Sequence, residues 1–214
     1  MGPGMALTAS TLKLAAALAV ALLVAGCGAG LSGFAGGGAG NQGIDLDSVP
    51  RDKIEAFGTP ILRATIPARG TDLLLSPRDV RANVTTWESA EGITLAFRDG
   101  MLIETRGLGP DLMSSSSPSR ASVLGGGPYS RSYFFIEEED RTQRRDYLCT
   151  TEVVGTEVIT IYGKNHQTRH IRETCRRDGG RLSNDFWFEG RTLRQSQQWI
   201  SPDVGRALIF AVVD

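Results

Sequence analysis

The chain has 214 residues, with 23 Lys and Arg against 24 Asp and Glu and a formal net charge of −1. The basic residues are spread among acids rather than gathered, which excludes an electrostatic nucleic-acid partner. The length suits one domain with a sizeable core plus short appendages, and no second domain is needed.

Leu14 to Val24 is an apolar run of signal-peptide length, too short for the roughly 20 residues that span a bilayer. It ends in Val24-Ala25-Gly26-Cys27, which resembles the lipobox of bacterial lipoproteins. The resemblance implies cleavage before Cys27, a thioether-linked diacylglycerol on its sulfur and acylation of the new amine. Two or more acyl chains hold a protein essentially permanently, at about 0.8 kcal/mol per buried methylene. Gly28, where an aspartate would resemble an inner-membrane retention signal, points to the outer membrane facing the periplasm. Residues 1–26 are therefore expected to be signal peptide and 27–43 a tether. Gly28 to Gly43 carries eight glycines and almost no core-forming residues, giving a random-coil reach of roughly 20 to 25 Å. Residues 44–60 form a linker, with room for one short helix at Pro50 to Phe57.

From Ile61 to the end the pattern is β throughout. Strands are predicted at Leu62 to Ile66, Val80 to Trp87, Ser130 to Glu138, Arg145 to Val153, Glu157 to Tyr162, Gln167 to Arg176, Leu182 to Phe188, Thr192 to Ile200 and Arg206 to Val212. Acid-glycine pairs at Glu91-Gly92, Asp99-Gly100, Asp178-Gly179 and Glu189-Gly190 read as hairpin turns. Around Asp99 a three-residue loop, Arg98 to Gly100, gathers Ile93, Leu95, Phe97, Met101 and Ile103 on one face, with Thr94, Ala96 and Glu104 on the other. Ser114 to Pro128, rich in serine, proline and glycine, reads as a long mobile loop. With no helices to cover it, a single antiparallel sheet of many strands must fold on itself as a sandwich or near-closed barrel.

Setting Cys27 aside, Cys149 and Cys175 remain in a chain sent to an oxidising compartment, and a disulfide follows. The loop it closes is worth roughly 3.5 kcal/mol in the chain-entropy model. A metal on Cys149, Cys175, His166 and His170 is the competing reading, disfavoured because zinc sites in small folds usually bring close cysteine pairs. No metal or cofactor is expected.

Nucleophile-elbow, phosphate-loop and zinc-protease patterns are missing, so the chain reads as a non-enzyme with no catalytic residues to assign. Paired carboxylates such as Asp185 and Glu189 are the alternative, as in glycoside hydrolysis. Trp87, Trp187, Trp199, Tyr129, Tyr133 and Tyr147 could stack on sugar rings, although sheet packing accounts for most aromatics. Trp187 stands out. If Phe186 and Phe188 face the core, it lies on the outer face. Trp187, Tyr129 and Tyr133 are the candidate contacts for glycan or a partner.

Four segments together resemble the YjbF/GfcB family of lipoproteins: LRATIPARG (Leu62 to Gly70), TTWESAEGITLAFRDGMLIETRGLGPDLMSS (Thr85 to Ser115), RSYFFIEEEDRTQRRDYLCT (Arg131 to Thr150) and RQSQQWISPDVG (Arg194 to Gly205). The RGLG element at Arg106 to Gly109 is the most diagnostic part. The resemblance implies an all-β periplasmic protein, anchored in the outer membrane through acylated Cys27, that assists assembly or export of an exopolysaccharide or group 4 capsule. Its implied partners are the bilayer, an outer-membrane export protein and the polysaccharide itself. A glycan-modifying enzyme and a purely structural envelope lipoprotein are the alternatives.

Overall fold

Strands rich in β-branched and aromatic residues, broken by acid-glycine turns, organise into one sheet. The computed structural model describes residues 49–56, 58–136 and 141–213. The expected signal peptide, Cys27 and the tether lie outside them. After a short helix α1 (Arg51–Glu55) come β1 (Ile61–Ile66), a 3-10 turn (Pro67–Arg69), β2 (Thr71–Arg81), β3 (Val84–Ser89), β4 (Thr94–Arg98), β5 (Met101–Arg106) and β6 (Leu112–Ser115). Helix α2 (Arg120–Gly125) precedes β7 (Tyr129–Ile136), β8 (Thr142–Ile161), β9 (Lys164–Arg177), β10 (Gly180–Glu189), β11 (Thr192–Ser201) and β12 (Gly205–Val213). The twelve strands make one antiparallel sheet in the order β5-β4-β3-β2-β1-β12-β11-β10-β9-β8-β7-β6, nearly closed into a barrel.

Alternation along each strand sends one set of side chains inward. Leu73, Leu75, Leu95, Phe97, Leu102, Leu112, Tyr133, Phe135, Tyr147, Leu182, Ile200 and Ile209 belong to the main core. Met101, Val123, Ile171, Phe186 and Phe188 form a second cluster. Val123 comes from α2, so that helix packs into the barrel core. Ser119 caps it by accepting from the Ser122 N–H, and Arg120 reaches the carbonyls of Asp99 and Arg191.

Several expectations change. Ser114 to Pro128 is not an unstructured loop, since β6 and α2 occupy much of it. Val80 to Trp87 is two strands, because Ala82, at φ 52°, turns the chain there. The two segments expected between Arg145 and Tyr162 are one continuous β8, with a bulge between Val153 and Gly155. The Asp99 hairpin uses two loop residues rather than three. Arg98 pairs with Met101 while Asp99 and Gly100 both take positive φ, 52° and 89°, as a type I′ turn requires. The irregularity sits one step back. Ala96 pairs with Glu104 and Phe97 with Leu102, so Ile103 is the extra residue and Leu102 takes its place in the core.

The near-closure has a specific chemistry. β5 and β6 stand at opposite ends of the sheet order yet lie side by side, joined by the RGLGPD loop. The Asp111 carboxylate accepts from Thr105 Oγ1 at 2.7 Å, Gly107 N at 2.9 Å and Leu108 N at 3.2 Å. Thr105 Oγ1 in turn accepts from Leu112 N, and the Arg106 guanidinium donates to the Leu112 and Met113 carbonyls. Side chains therefore satisfy backbone groups that a regular ladder would have paired.

Candidate functional site: the barrel mouth beside Trp87

Inward-facing polar residues divide between a sealed network in the barrel and an open cavity at one mouth. The network is centred on Arg131 (β7) and Glu173 (β9), which are 1 % and 0 % exposed. Arg131 Nη1 donates to Glu173 Oε2 at 2.8 Å, Nη2 to the Leu102 carbonyl at 3.3 Å and Nε to Ser115 Oγ at 3.4 Å. The Tyr129 hydroxyl donates to Glu173 Oε1 at 2.7 Å, and Asn184 Nδ2 donates to the other carboxylate oxygen. Asn184 Oδ1 accepts the Trp199 N–H, and Gln198 serves both the Leu102 N–H and the Gly100 carbonyl. Burial, followed by the negative charge of Glu173, pushes the Tyr129 phenol well above its ordinary value, and burial does the same to Tyr133.

Two of the three expected ligand aromatics fall in this interior. Tyr133 is wholly enclosed and edge-packed against Trp199 and Tyr147, so it has no surface to offer a glycan. Tyr129 is partly buried and spends its hydroxyl on Glu173.

Trp187 does point away from the core, since Phe186 and Phe188 are buried inside. It is half-covered there. Its ring stacks on His170 with centroids 4.4 Å apart, and its Nε1 donates to Glu157 at 2.6 Å. His170 lies between Asp185 (2.8 Å) and Glu157 (3.3 Å), and Arg172 also reaches Asp185. Nearby, His166 and Arg194 hold Glu189 at 3.1 and 2.8 Å. These contacts join the long β8–β9 hairpin to the outer face of β10 and β11. At the hairpin tip Arg63 lies 5.9 Å over the Tyr162 ring and Arg51 donates to the Ile161 carbonyl. The hydrogen bond from His166, then that from Arg194, lowers the Glu189 carboxyl below its usual range. A general acid needs the opposite shift.

Cys149 and Cys175 sit directly opposite each other on β8 and β9 and are joined by a disulfide, both fully buried. Alternation along β9 places His166 and His170 on the face opposite Cys175. Glu173 does lie beside the two sulfurs. With the sulfurs bonded to each other, neither can supply the thiolate a metal takes.

The open cavity has a volume of about 430 Å³ at the mouth formed by the β2–β3, β4–β5 and β10–β11 ends. Leu62, Trp87, Phe97, Leu193 and Ile209 supply apolar wall; Thr85, Asn83, Asp99, Arg120, Gln195 and Ser196 supply polar groups. Asn83 Nδ2 donates to Asp99 at 3.1 Å, leaving the other carboxylate oxygen available. Among the described residues the Thr85 and Gln195 side chains have no hydrogen-bond partner within the chain. Unsatisfied hydroxyl and amide groups around an indole are what a hydroxylated ring needs: a flat apolar surface with donors and acceptors at its edge. In the sequence Trp87 is one aromatic among six. Only the fold singles it out, because a mouth is assembled from distant turns.

The family model described as group 4 capsule polysaccharide lipoprotein GfcB, YjbF, matches residues 43–209. The chain belongs to the YjbF family. Membership makes it a lipoprotein of the cell envelope associated with capsule polysaccharide, an assignment shared by most of its length. The crystal structure of the hypothetical lipoprotein YmcC from Escherichia coli (K12) superposes with a TM-score of 0.68 at 19% identity, covering 78% of this chain and 89% of that one. That likeness shows a shared fold. No curated protein is significantly similar in sequence. In this YjbF-family chain the RGLG element is the barrel closure, with Gly107 at φ 88° and Gly109 at φ 85°. A Cβ on Gly107 would also press on Ile93 at 3.3 Å.

Proposed function

We propose that this protein is an outer-membrane lipoprotein, anchored through acylated Cys27 and facing the periplasm, that assists assembly or export of a capsule or exopolysaccharide by binding glycan at the Trp87 mouth. The observation that carries the reading is the cavity itself: an indole and apolar wall beside unpartnered Thr85 and Gln195, in a family tied to capsule polysaccharide. A volume of about 430 Å³ suits one or a few sugar rings, within the range of small-ligand sites. The protein acts by binding rather than by catalysis. Asp185 and Glu189, the acids best placed for an enzymatic alternative, are each engaged by a histidine and an arginine.

Complementation of a deletion strain tests this. Loss of the protein should reduce surface polysaccharide, Trp87→Ala should fail to restore it, and Asp185→Asn and Glu189→Gln should restore it. Restoration by Trp87→Ala but by neither acid variant, with both folded and correctly located, supports a glycan-modifying enzyme instead. Unchanged surface polysaccharide in the deletion strain supports a purely structural envelope protein. Anchoring is tested separately by the intact mass of membrane-extracted protein, which should begin at Cys27 and carry acyl mass. A chain cut elsewhere, or without that mass, refutes it.

A further inference from the structure

β7 pairs with β8 only as far as Tyr129 opposite Cys149, whereas β8 runs on to Ile161. Among the described residues the stretch Glu152–Thr160 therefore has β9 on one side and no strand on the other. α2 reaches β8 only at Thr151, and Arg51 takes the Ile161 carbonyl, so both ends of the stretch are closed and its middle is open.

This edge lacks the usual defences. Its sequence, EVVGTEVIT, contains neither proline nor lysine and carries Val153, Val154 and Val158 at 57 %, 49 % and 49 % exposure. Natural proteins blunt such edges with charge, proline or cover, because unpaired N–H and C=O groups in a flat apolar strand recruit another strand. This same molecule seals its β5 and β6 edges with Arg106, Thr105 and Asp111. The contrast marks the β8 edge as a surface meant to be paired.

We propose that Glu152–Thr160 of β8 pairs antiparallel with the same segment of a second copy of this chain, about a two-fold axis at Thr156. The sequence is self-complementary in that register. Val154 falls opposite Val158, Val153 opposite Ile159, Glu152 opposite Thr160 and Glu157 opposite Gly155. No carboxylate faces another. An axis between Val154 and Gly155 would oppose Glu152 to Glu157, and one at Glu157 would oppose that residue to itself; like charges directly opposite each other are destabilising. A Cβ at Gly155 would meet nothing within 4 Å, so the space beside the bulge is open to an incoming strand. The interface is isologous, as two-fold dimers require. Copies anchored to one membrane meet at raised effective concentration, which offsets the modest size of a single ladder.

Thr156→Cys in the full-length protein, in intact membranes, tests the pairing. Directly opposed residues in an antiparallel pair have Cα atoms roughly 4.5 to 5.5 Å apart, within disulfide range. Mild oxidation should convert Thr156→Cys to a covalent dimer, and co-expressed Val154→Cys and Val158→Cys chains should give a mixed dimer. Wild type and Val80→Cys, exposed at a distant hairpin, should stay monomeric. If the thiol introduced by Thr156→Cys alkylates freely without dimerising, the proposal is overturned. It is overturned equally if that thiol is protected yet never dimerises, because a different chain or segment then covers the edge.

Discussion

Arg131 and Glu173 form an ion pair inside the barrel, 2.8 Å between Nη1 and Oε2, with side chains 1 % and 0 % exposed. Through it β7 is tied to β9, and the remaining donors of Arg131 reach β5 and β6 across the gap in the sheet. Glu173→Gln strands a buried guanidinium and should cost about 3 to 5 kcal/mol, measured by denaturant unfolding. The double change Arg131→Met with Glu173→Leu should recover much of that loss, because the desolvation penalty of both charges disappears. A small effect of Glu173→Gln would show that water reaches the pair.

Tyr129 and Tyr133 should remain protonated where ordinary phenols titrate, near pH 10. Their folded values are raised, so the stability they contribute is fully present below pH 10 and lost as pH climbs toward those folded values. In an absorbance titration of phenolate, the late step should coincide with unfolding, and Tyr129→Phe and Tyr133→Phe should each shrink it. Complete titration near pH 10 in a folded protein would contradict the burial described.

Removing the disulfide by Cys149→Ala with Cys175→Ala should lower stability by roughly 2 to 5 kcal/mol. The barrel should still form, since strand pairing on both sides of the bridge is continuous. Circular dichroism with thermal melting reads both outcomes, and a melting temperature unchanged from wild type would deny the bridge its structural role.

Asp111→Ala removes three hydrogen bonds that hold the RGLGPD loop. It should cost about 2 to 3 kcal/mol, the scale of lost hydrogen bonds to a charged acceptor. Hydrogen exchange should speed up at β5 and β6 before other strands, while uniform acceleration across the sheet would mean the loop is not a local closure.

How far the residues announce this structure depends on which rule they obey. Acid-glycine turns and period-two strands can be read because each is a local backbone requirement. The Asp99 loop differs from expectation because two bulge positions satisfy nearly the same pattern, and only the barrel decides whether Leu102 or Ile103 turns inward. Arg131 carries a usable signal: it shares the inward alternation of Tyr133 and Phe135, so a charge is due inside and needs a partner. That partner, Glu173, lies on another strand, and no local pattern pairs them. Alternation alone sets Trp187 on the outer face. What covers it, the folded-over β8–β9 hairpin, depends on a long-range contact. Trp87 and the mouth around it are built from β1, β3, β4, β11 and β12 together, so no segment alone reveals the cavity.

The chain contains three tryptophans, Trp87, Trp187 and Trp199, so fluorine NMR of the 5-fluorotryptophan-labelled lipoprotein in detergent micelles should yield three resonances, assigned by single Trp→Phe variants. Oligosaccharides released by mild acid from the producing strain's own surface polysaccharide are the titrant. The Trp87 resonance should shift saturably while those of Trp187 and Trp199 stay in place, and the shift should be lost in Gln195→Ala with Thr85→Val. A Trp87 resonance that does not move at saturating oligosaccharide, or a shift confined to Trp187, would contradict glycan binding at the barrel mouth.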